Sequence, residues 1–275
     1  MTDKFIAACV QMRSGVEIAA NVNQATSLIR EAKSRGAQFV ATPEVTSLFE
    51  AESDRLFAKV LIQEDDAALK SFQALADELD IWLLIGSMPI RVAERQCANR
   101  SFLIGSDGRI VATYDKIHMF DVDLPNGEVY RESRNFRRGE RAVVADMPWG
   151  KLGLSICYDL RFPQLYRALA KTGASFLTIP AAFTHTTGIA HWSVLQRARA
   201  IETGCYVIAP AQAGHHENGR HTYGHSVIVD PWGHVLVEGG DEPCVVMAEV
   251  DPAKVSEARQ RIPALTHDRP FAASE

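Results

Sequence analysis

The stretch Gly153-Leu154-Ser155-Ile156-Cys157-Tyr158-Asp159-Leu160-Arg161-Phe162-Pro163 is apolar up to a cysteine and then abruptly polar and aromatic. Pro163 stands where a helix would begin. A strand-to-helix turn of this kind puts Cys157 at the lip of a sheet. There the N–H groups of the new helix point outward and receive negative charge. The bland alternative is an inert core thiol, the commoner fate of a free cysteine. A nucleophilic thiol also needs a base and surroundings that favour thiolate. None of the nine histidines sits in a segment like the known Cys–His protease signatures. Two other segments are more suggestive. Thr42-Pro43-Glu44 sets a carboxylate just past one apolar strand, and Tyr114-Asp115-Lys116-Ile117-His118 sets a lysine just past another. Positions beyond strand ends are where α/β sheets collect functional groups. Taken singly, Glu44 and Lys116 would more commonly be solvated surface charges.

The elements that must deliver these residues follow from the hydrophobic pattern. Residues 5–12 read as a buried strand, 21–35 as an amphipathic helix stopped at Gly36, and 38–42 as a second strand. Residues 66–79 read as a helix and 81–86 as a strand, so the chain opens β-α-β-α-β. Three hairpins are then expected, around residues 105–108, 147–150 and 230–233. Between the last two come a helix at 162–171, a strand at 175–179, a helix at 190–203 and a strand at 206–209. Hairpins mixed with crossovers, and no linker, predict one α/β domain. The repeated Pro-Trp-Gly turns, Pro148-Trp149-Gly150 and Pro231-Trp232-Gly233, hint at an internal duplication.

Composition removes several classes. The 275 residues carry 29 Lys and Arg against 34 Asp and Glu, a net charge of −5. With 47% hydrophobic and 23% charged residues, this is an ordinary folded chain without a nucleic-acid footprint. No apolar run approaches the roughly 18 residues that span a bilayer, and residues 5–10 are too short for a secretory signal. The five cysteines are scattered with no C-x-x-C pair, which fits a reducing cytoplasm better than a disulfide framework. Glycine-rich phosphate loops are missing, so no nucleotide or organic cofactor is expected. The histidine-rich stretch from His215 to His225 could in principle hold zinc, but its spacing matches no metallohydrolase template, and no metal is expected.

Pro43-Glu44, Lys116-Ile117-His118-Met119-Phe120-Asp121 and Ser155 through Pro163 resemble the three catalytic blocks of the nitrilase superfamily of carbon–nitrogen hydrolases, in the same order. The likeness runs from Val10-Gln11-Met12 to the turn at residues 230–233. It is nearest the Nit branch, and within that branch nearer the deaminated glutathione amidases than the ω-amidases. His191-Trp192, residues 197–203, Ala209-Pro210-Ala211-Gln212 and Tyr223-Gly224-His225-Ser226 carry this finer likeness.

The resemblance implies a four-layer α-β-β-α sandwich over residues 1–275. It implies an amidase that turns a small carboxamide into acid plus ammonia through a thioester, working as a homodimer or larger homo-oligomer. Cys157 would be the nucleophile, Glu44 the general base and acid, and Lys116 the oxyanion donor. Glu132 resembles the second glutamate of such sites and would orient Lys116. Tyr158, Arg161, Phe183, Thr186 and Thr187 would contact substrate, with Arg161 equally readable as an ion-pair partner of Asp159. A nitrilase acting on nitriles, a zinc hydrolase and a catalytically silent relative are the competing readings.

Overall fold

The computed structural model describes residues 3–125 and 127–272. Its layering is already visible in the first strand, Phe5–Gln11. Phe5, Ala7 and Cys9 enter one core, while Ala8 and Val10 enter another. A strand that is apolar on both faces must be covered on both. Helices Ile18–Ser34 and Ala67–Leu79 cover one side, burying Ala25, Ile29 and Ala32 from the first and Leu69, Phe72 and Leu75 from the second. Each large side chain of this kind contributes roughly 1.5–3 kcal/mol of burial. A second sheet covers the other side. Phe5 stacks on Trp149 at 4.3 Å and meets Phe176 edge-on at 5.4 Å. Helices Pro163–Lys171 and His185–Thr203 pack on that second sheet through Leu165, Tyr166, Leu169 and Trp192. The order is helix, sheet, sheet, helix, as the sequence resemblance implies.

The two sheets repeat one plan. The first runs Cys244–Val250, Phe5–Gln11, Phe39–Ala41, Trp82–Ala93, Gln96–Ile104, Ile110–Asp115, with the short strand Phe136–Arg137 also on Gln96–Ile104. The second runs Val143–Met147, Gly150–Leu154, Phe176–Thr178, Tyr206–Ala209, Val227–Val229, Val235–Glu238. Along each six-strand path the second, third and fourth strands are parallel and every other neighbour is antiparallel, while the added Phe136–Arg137 runs parallel to Gln96–Ile104. The Pro-Trp-Gly turns are not the mark of this repeat. One joins the first two strands of the second sheet and the other its last two, so they occupy unlike places.

Several elements depart from the expected boundaries. The helix expected from residue 190 starts at His185, because Thr184 stays extended and the helix can run on from it. The strand expected over 81–86 continues to Ala93, paired across a bulge with Gln96–Ile104. The short helix Ser53–Lys59 has no long apolar face to signal it, but Glu52 caps it by accepting from the N–H groups of Asp54 and Arg55. Strand Cys244–Val250 closes the first sheet against Phe5–Gln11, a pairing over a sequence distance that local pattern does not reveal.

Candidate active site

Glu44 follows the strand Phe39–Ala41, Lys116 follows Ile110–Asp115, and Cys157 opens a 3-10 turn, Cys157–Arg161, after Gly150–Leu154. All three line one cavity of about 400 Å³, together with Glu132, Asn99 and Tyr158. All three are also buried, with Glu44 4% exposed, Lys116 2% and Cys157 7%.

The backbone is strained where two of them stand. Cys157 has φ 48° and Val45, directly after Glu44, has φ 55°. A β-branched residue in that region is rare, and such strain persists only where the surroundings over-determine it. Asp159 supplies part of the constraint at Cys157. Its fully buried carboxylate accepts from Tyr114 Oη at 2.6 Å, Ile156 N at 2.9 Å and His118 N at 3.0 Å, and His118 Nδ1 lies 2.7 Å away. The Lys116 segment and the Cys157 turn are thereby tied through one side chain. At Val45 the N–H donates to Ser87 Oγ at 2.9 Å. Gly86 fits beneath both strand ends because it has no side chain; a Cβ would overlap the carbonyl oxygens of Thr42 and Pro43 and the ring of Pro180.

The polar groups form one closed network. Lys116 Nζ donates to Glu44 Oε1 at 2.8 Å and to Glu132 Oε1 and Oε2 at 3.0 and 2.9 Å. Asn99 Nδ2 bridges the same carboxylates, 2.9 Å from Glu44 Oε1 and 3.1 Å from Glu132 Oε1. Glu44 Oε2 accepts the Ala182 N–H at 2.8 Å, and Glu132 Oε2 that of Phe120 at 2.7 Å. Burial favours neutral Glu44, but the Lys116 charge and the hydrogen bonds from Lys116 and Ala182 outweigh it. The carboxyl is held below its usual range. Burial likewise opposes the charge on Lys116, and the carboxylates of Glu132 and Glu44 overcome it, raising the ammonium well above its usual value. Burial pushes the Cys157 thiol well up, and Glu44 adds to this while Lys116 only partly offsets it. At neutral pH the arrangement is a protonated thiol beside an ionised carboxylate and an ammonium. A base adjoins the thiol, and a cation adjoins both.

Tyr158, Phe183 and Thr187 line the cavity. Thr186 and Arg161 are not among its lining residues. Arg161 does not pair with Asp159, whose oxygens are taken by Tyr114, Ile156 and His118. Its guanidinium instead lies against the rings of Tyr158 and Phe183, at 5.9 and 5.2 Å, with Nη1 3.2 Å from His191 Nδ1. The histidine-rich stretch forms a hairpin, Ala213–His215 with His221–Tyr223. Its imidazoles stack, His215 on His221 at 3.8 Å and His221 on His185 at 4.1 Å. Among the described residues no group of three or more His, Cys, Asp or Glu side chains is arranged to hold a metal ion. Among the wall residues that escape the sequence reading are Asn99, within a strand, and Arg220, in the turn of the hairpin. Asn99 sits at a position with no break in pattern. It stands beside Arg100 and Ser101 in a strand of mixed polarity, so its burial leaves no mark in the sequence.

Residues 6–260 match the carbon-nitrogen hydrolase family model, and the chain belongs to that family, part of the nitrilase superfamily. It is 42% identical to a deaminated glutathione amidase of Synechocystis, over 96% of this chain and 97% of that one. It is 36% identical to the human omega-amidase NIT2, over 96% of this chain and 95% of that one. The crystal structure of Saccharomyces cerevisiae Nit3, a member of branch 10 of the nitrilase superfamily, superposes with a TM-score of 0.87 at 30% identity. That match covers 98% of this chain and 97% of Nit3.

Proposed function

We propose that this protein is a thiol-dependent amidase. The observation that carries the reading is that Cys157, Glu44 and Lys116 share one cavity, with Lys116 bonded to both Glu44 and Glu132. Cys157 Sγ attacks the amide carbon as Glu44 takes the thiol proton. Lys116 and the Tyr158 N–H receive the negative oxygen, and Glu132 holds Lys116 in place. Glu44 passes the proton to the nitrogen, the C–N bond breaks, and a thioester remains. Water, deprotonated by Glu44, then releases the acid and restores the thiol. Tyr158, Phe183 and Thr187 border the acyl group, with Thr186 and Arg161 acting from behind that wall.

The family relatives favour deaminated glutathione or a related ketoacid amide as substrate, and the likeness to omega-amidase keeps α-ketoglutaramate as the second reading. The two differ in what leaves. Deaminated glutathione has only secondary amides, so the acid is released with an amine; only a primary carboxamide yields the expected ammonia. The chain works, on this reading, as a single domain over residues 1–275 in the cytoplasm, as a homodimer or larger homo-oligomer. Five free cysteines and exposed Ile189, Val194 and Ile201 on the helix His185–Thr203 support it.

The test is purified protein with each of the two amides, the acid and the leaving group being measured by mass spectrometry. Release of 2-oxoglutarate from one of them, lost in Cys157→Ala, is the expected result. No product from either amide, or equal turnover by Cys157→Ala, would overturn the proposal.

A further inference from the structure

The cavity wall draws on both halves of the chain. Tyr158, Ala182, Phe183, Thr184 and Thr187 come from the second half. From the first half come Glu50, Ser53, Leu56, Pro89, Asn135 and Phe136. These six form a joined surface: Ser53 Oγ donates to Asn135 Oδ1 at 3.0 Å, and Leu56 and Phe136 pack in one apolar cluster. Asn99 also lines the cavity. It pairs with Pro89 across the strands Trp82–Ala93 and Gln96–Ile104, and so joins this surface to Glu44.

This part of the wall holds acceptors that the chain itself does not use. The Glu50 side chain is 3% exposed. Its Oε1 accepts the Glu52 N–H at 3.0 Å, and its Oε2 is buried without a hydrogen bond. Lys59 Nζ stands 3.7 Å from that oxygen, outside the cavity wall, and donates instead to Val16 O at 2.7 Å and Glu17 Oε1 at 3.3 Å. Asn99 is in the same condition. Two carboxylates fix its Nδ2, so the amide cannot flip, and its Oδ1 is buried without a partner. Among the described residues the one other buried side-chain oxygen of this kind is Gln196 Oε1, which does not line the cavity. A buried acceptor without a donor is costly. Two of them in the wall of one cavity mark a place for N–H groups that a ligand brings.

The proposed chemistry says which part of the substrate brings them. The acyl group borders Tyr158, Phe183 and Thr187, and Glu44 hands its proton to the amide nitrogen. That nitrogen therefore stands on the Asn99 side, and what it carries extends along Pro89 toward Glu50. We propose that Glu50 accepts an N–H group on the amine half of the substrate, so that the preferred substrates are secondary amides whose leaving amine carries a second N–H, in an ammonium or a peptide group. The inference rests on the amidase reading above and adds the leaving group to it. A primary carboxamide, which loses ammonia, leaves this acceptor unused.

The test uses γ-amides of 2-oxoglutarate in two matched pairs. In one pair the scissile nitrogen belongs to glycine N-methylamide or to glycine methyl ester, which differ by an N–H in place of an oxygen. In the other it carries an aminopropyl or a butyl group, an ammonium in place of a methyl. The readout is the ratio of kcat/KM values within each pair, from 2-oxoglutarate release, in wild type, Glu50→Gln and Glu50→Leu. Wild type should favour the N–H member of at least one pair by about tenfold or more, and the pair that shows it identifies the donor. Glu50→Leu should erase that preference, and Glu50→Gln, which keeps an acceptor oxygen, should fall between. The same four amides are titrated into Cys157→Ala with and without Glu50→Leu, and thermal melts check that each variant is folded. The binding preference should be lost with the carboxylate. Equal rates within both pairs in wild type, or a preference that survives Glu50→Leu, overturns the proposal. If wild type releases nothing from these amides or from α-ketoglutaramate, it is the amidase reading that fails, and the titrations alone then decide the role of Glu50.

Discussion

The two sheets are built alike and furnished differently. Phe39 pairs with Ala7 and Trp82, and Phe176 pairs with Leu152 and Tyr206, so the parallel triplets superimpose in register. Following the strands outward, Pro43 matches Pro180, Glu44 matches Ala181, and Met12 matches Cys157. Within the parallel triplets each half therefore contributes one reactive strand end and leaves the matching place in the other half inert, and Lys116 comes from the outer strand Ile110–Asp115 of the first half. The inert half still assists: Ala182, one residue past the counterpart of Glu44, donates its N–H to Glu44 Oε2. A repeated scaffold thus supplies like positions, and unlike residues at those positions supply the chemistry.

The sharpest way to break this asymmetry is at the matched pair Cys157 and Met12. Cys157→Ala is expected to lose at least about 10⁴-fold in kcat. Met12→Leu, a volume-conserving change in a buried place, should cost under about 1.5 kcal/mol of stability and leave amide turnover within a few-fold. Comparable losses in the two variants would mean that the halves do not divide the work as described.

Next in size is Lys116→Arg. The charge survives, but a planar fork cannot replace a compact ammonium held between Glu44 and Glu132. A loss of roughly 10²–10³-fold in kcat is expected, against a smaller change in KM. In wild type, kcat/KM should be flat from about pH 5 to about pH 9. The acid limb follows Glu44, whose carboxyl is held low, and the alkaline limb follows Cys157, whose thiol is held high.

The seam between the halves is tested by pH. His216 belongs to the second half and contacts Ser14 O in the first. Burial lowers its pKa to about 4 from the ordinary 6.5, so the folded protein resists protonating it. The unfolded chain takes the proton first as pH falls below 6.5. Stability therefore rises with pH through this window, and roughly 3 kcal/mol is lost between pH 6.5 and pH 4. Urea melts of wild type and His216→Gln at pH 7, 5.5 and 4 should show a shallower fall in the variant. Parallel curves would remove His216 from the account.

The smallest effect is expected at Asn99. Asn99→Leu removes a donor shared by Glu44 and Glu132, for a loss of about tenfold in kcat/KM. An anion deprived of a hydrogen bond is easier to protonate, so the acid limb should move to higher pH. A rate loss with an unmoved limb would make Asn99 a packing residue only.

These contrasts also show what the chain reveals before it is folded. Glu44, Lys116 and Cys157 were legible because each interrupts an apolar strand at its end, where polarity changes within two or three residues. Glu132 was reachable only through family resemblance, as it lies in a short 3-10 turn with no pattern of its own. Asn99 and Arg220 were missed because their partners come from distant segments. For Arg161 only the alternative of an ion pair with Asp159 falls away, since nearness in sequence suggests it whereas Tyr114, Ile156 and His118 occupy that carboxylate. An α/β fold is readable from strand and helix periods and its four layers only through the family resemblance, while the internal repeat lies in strand order and not in the two Pro-Trp-Gly tripeptides.

The three protons of the Lys116 ammonium are all engaged at rest, one by Glu44 and two by Glu132. On the proposed roles this sets a clock. When Glu44 accepts the thiol proton it turns neutral and its grip on the ammonium weakens, at the moment a new anion forms on the substrate. The donor is thereby withheld from bystander anions and released by the attack itself.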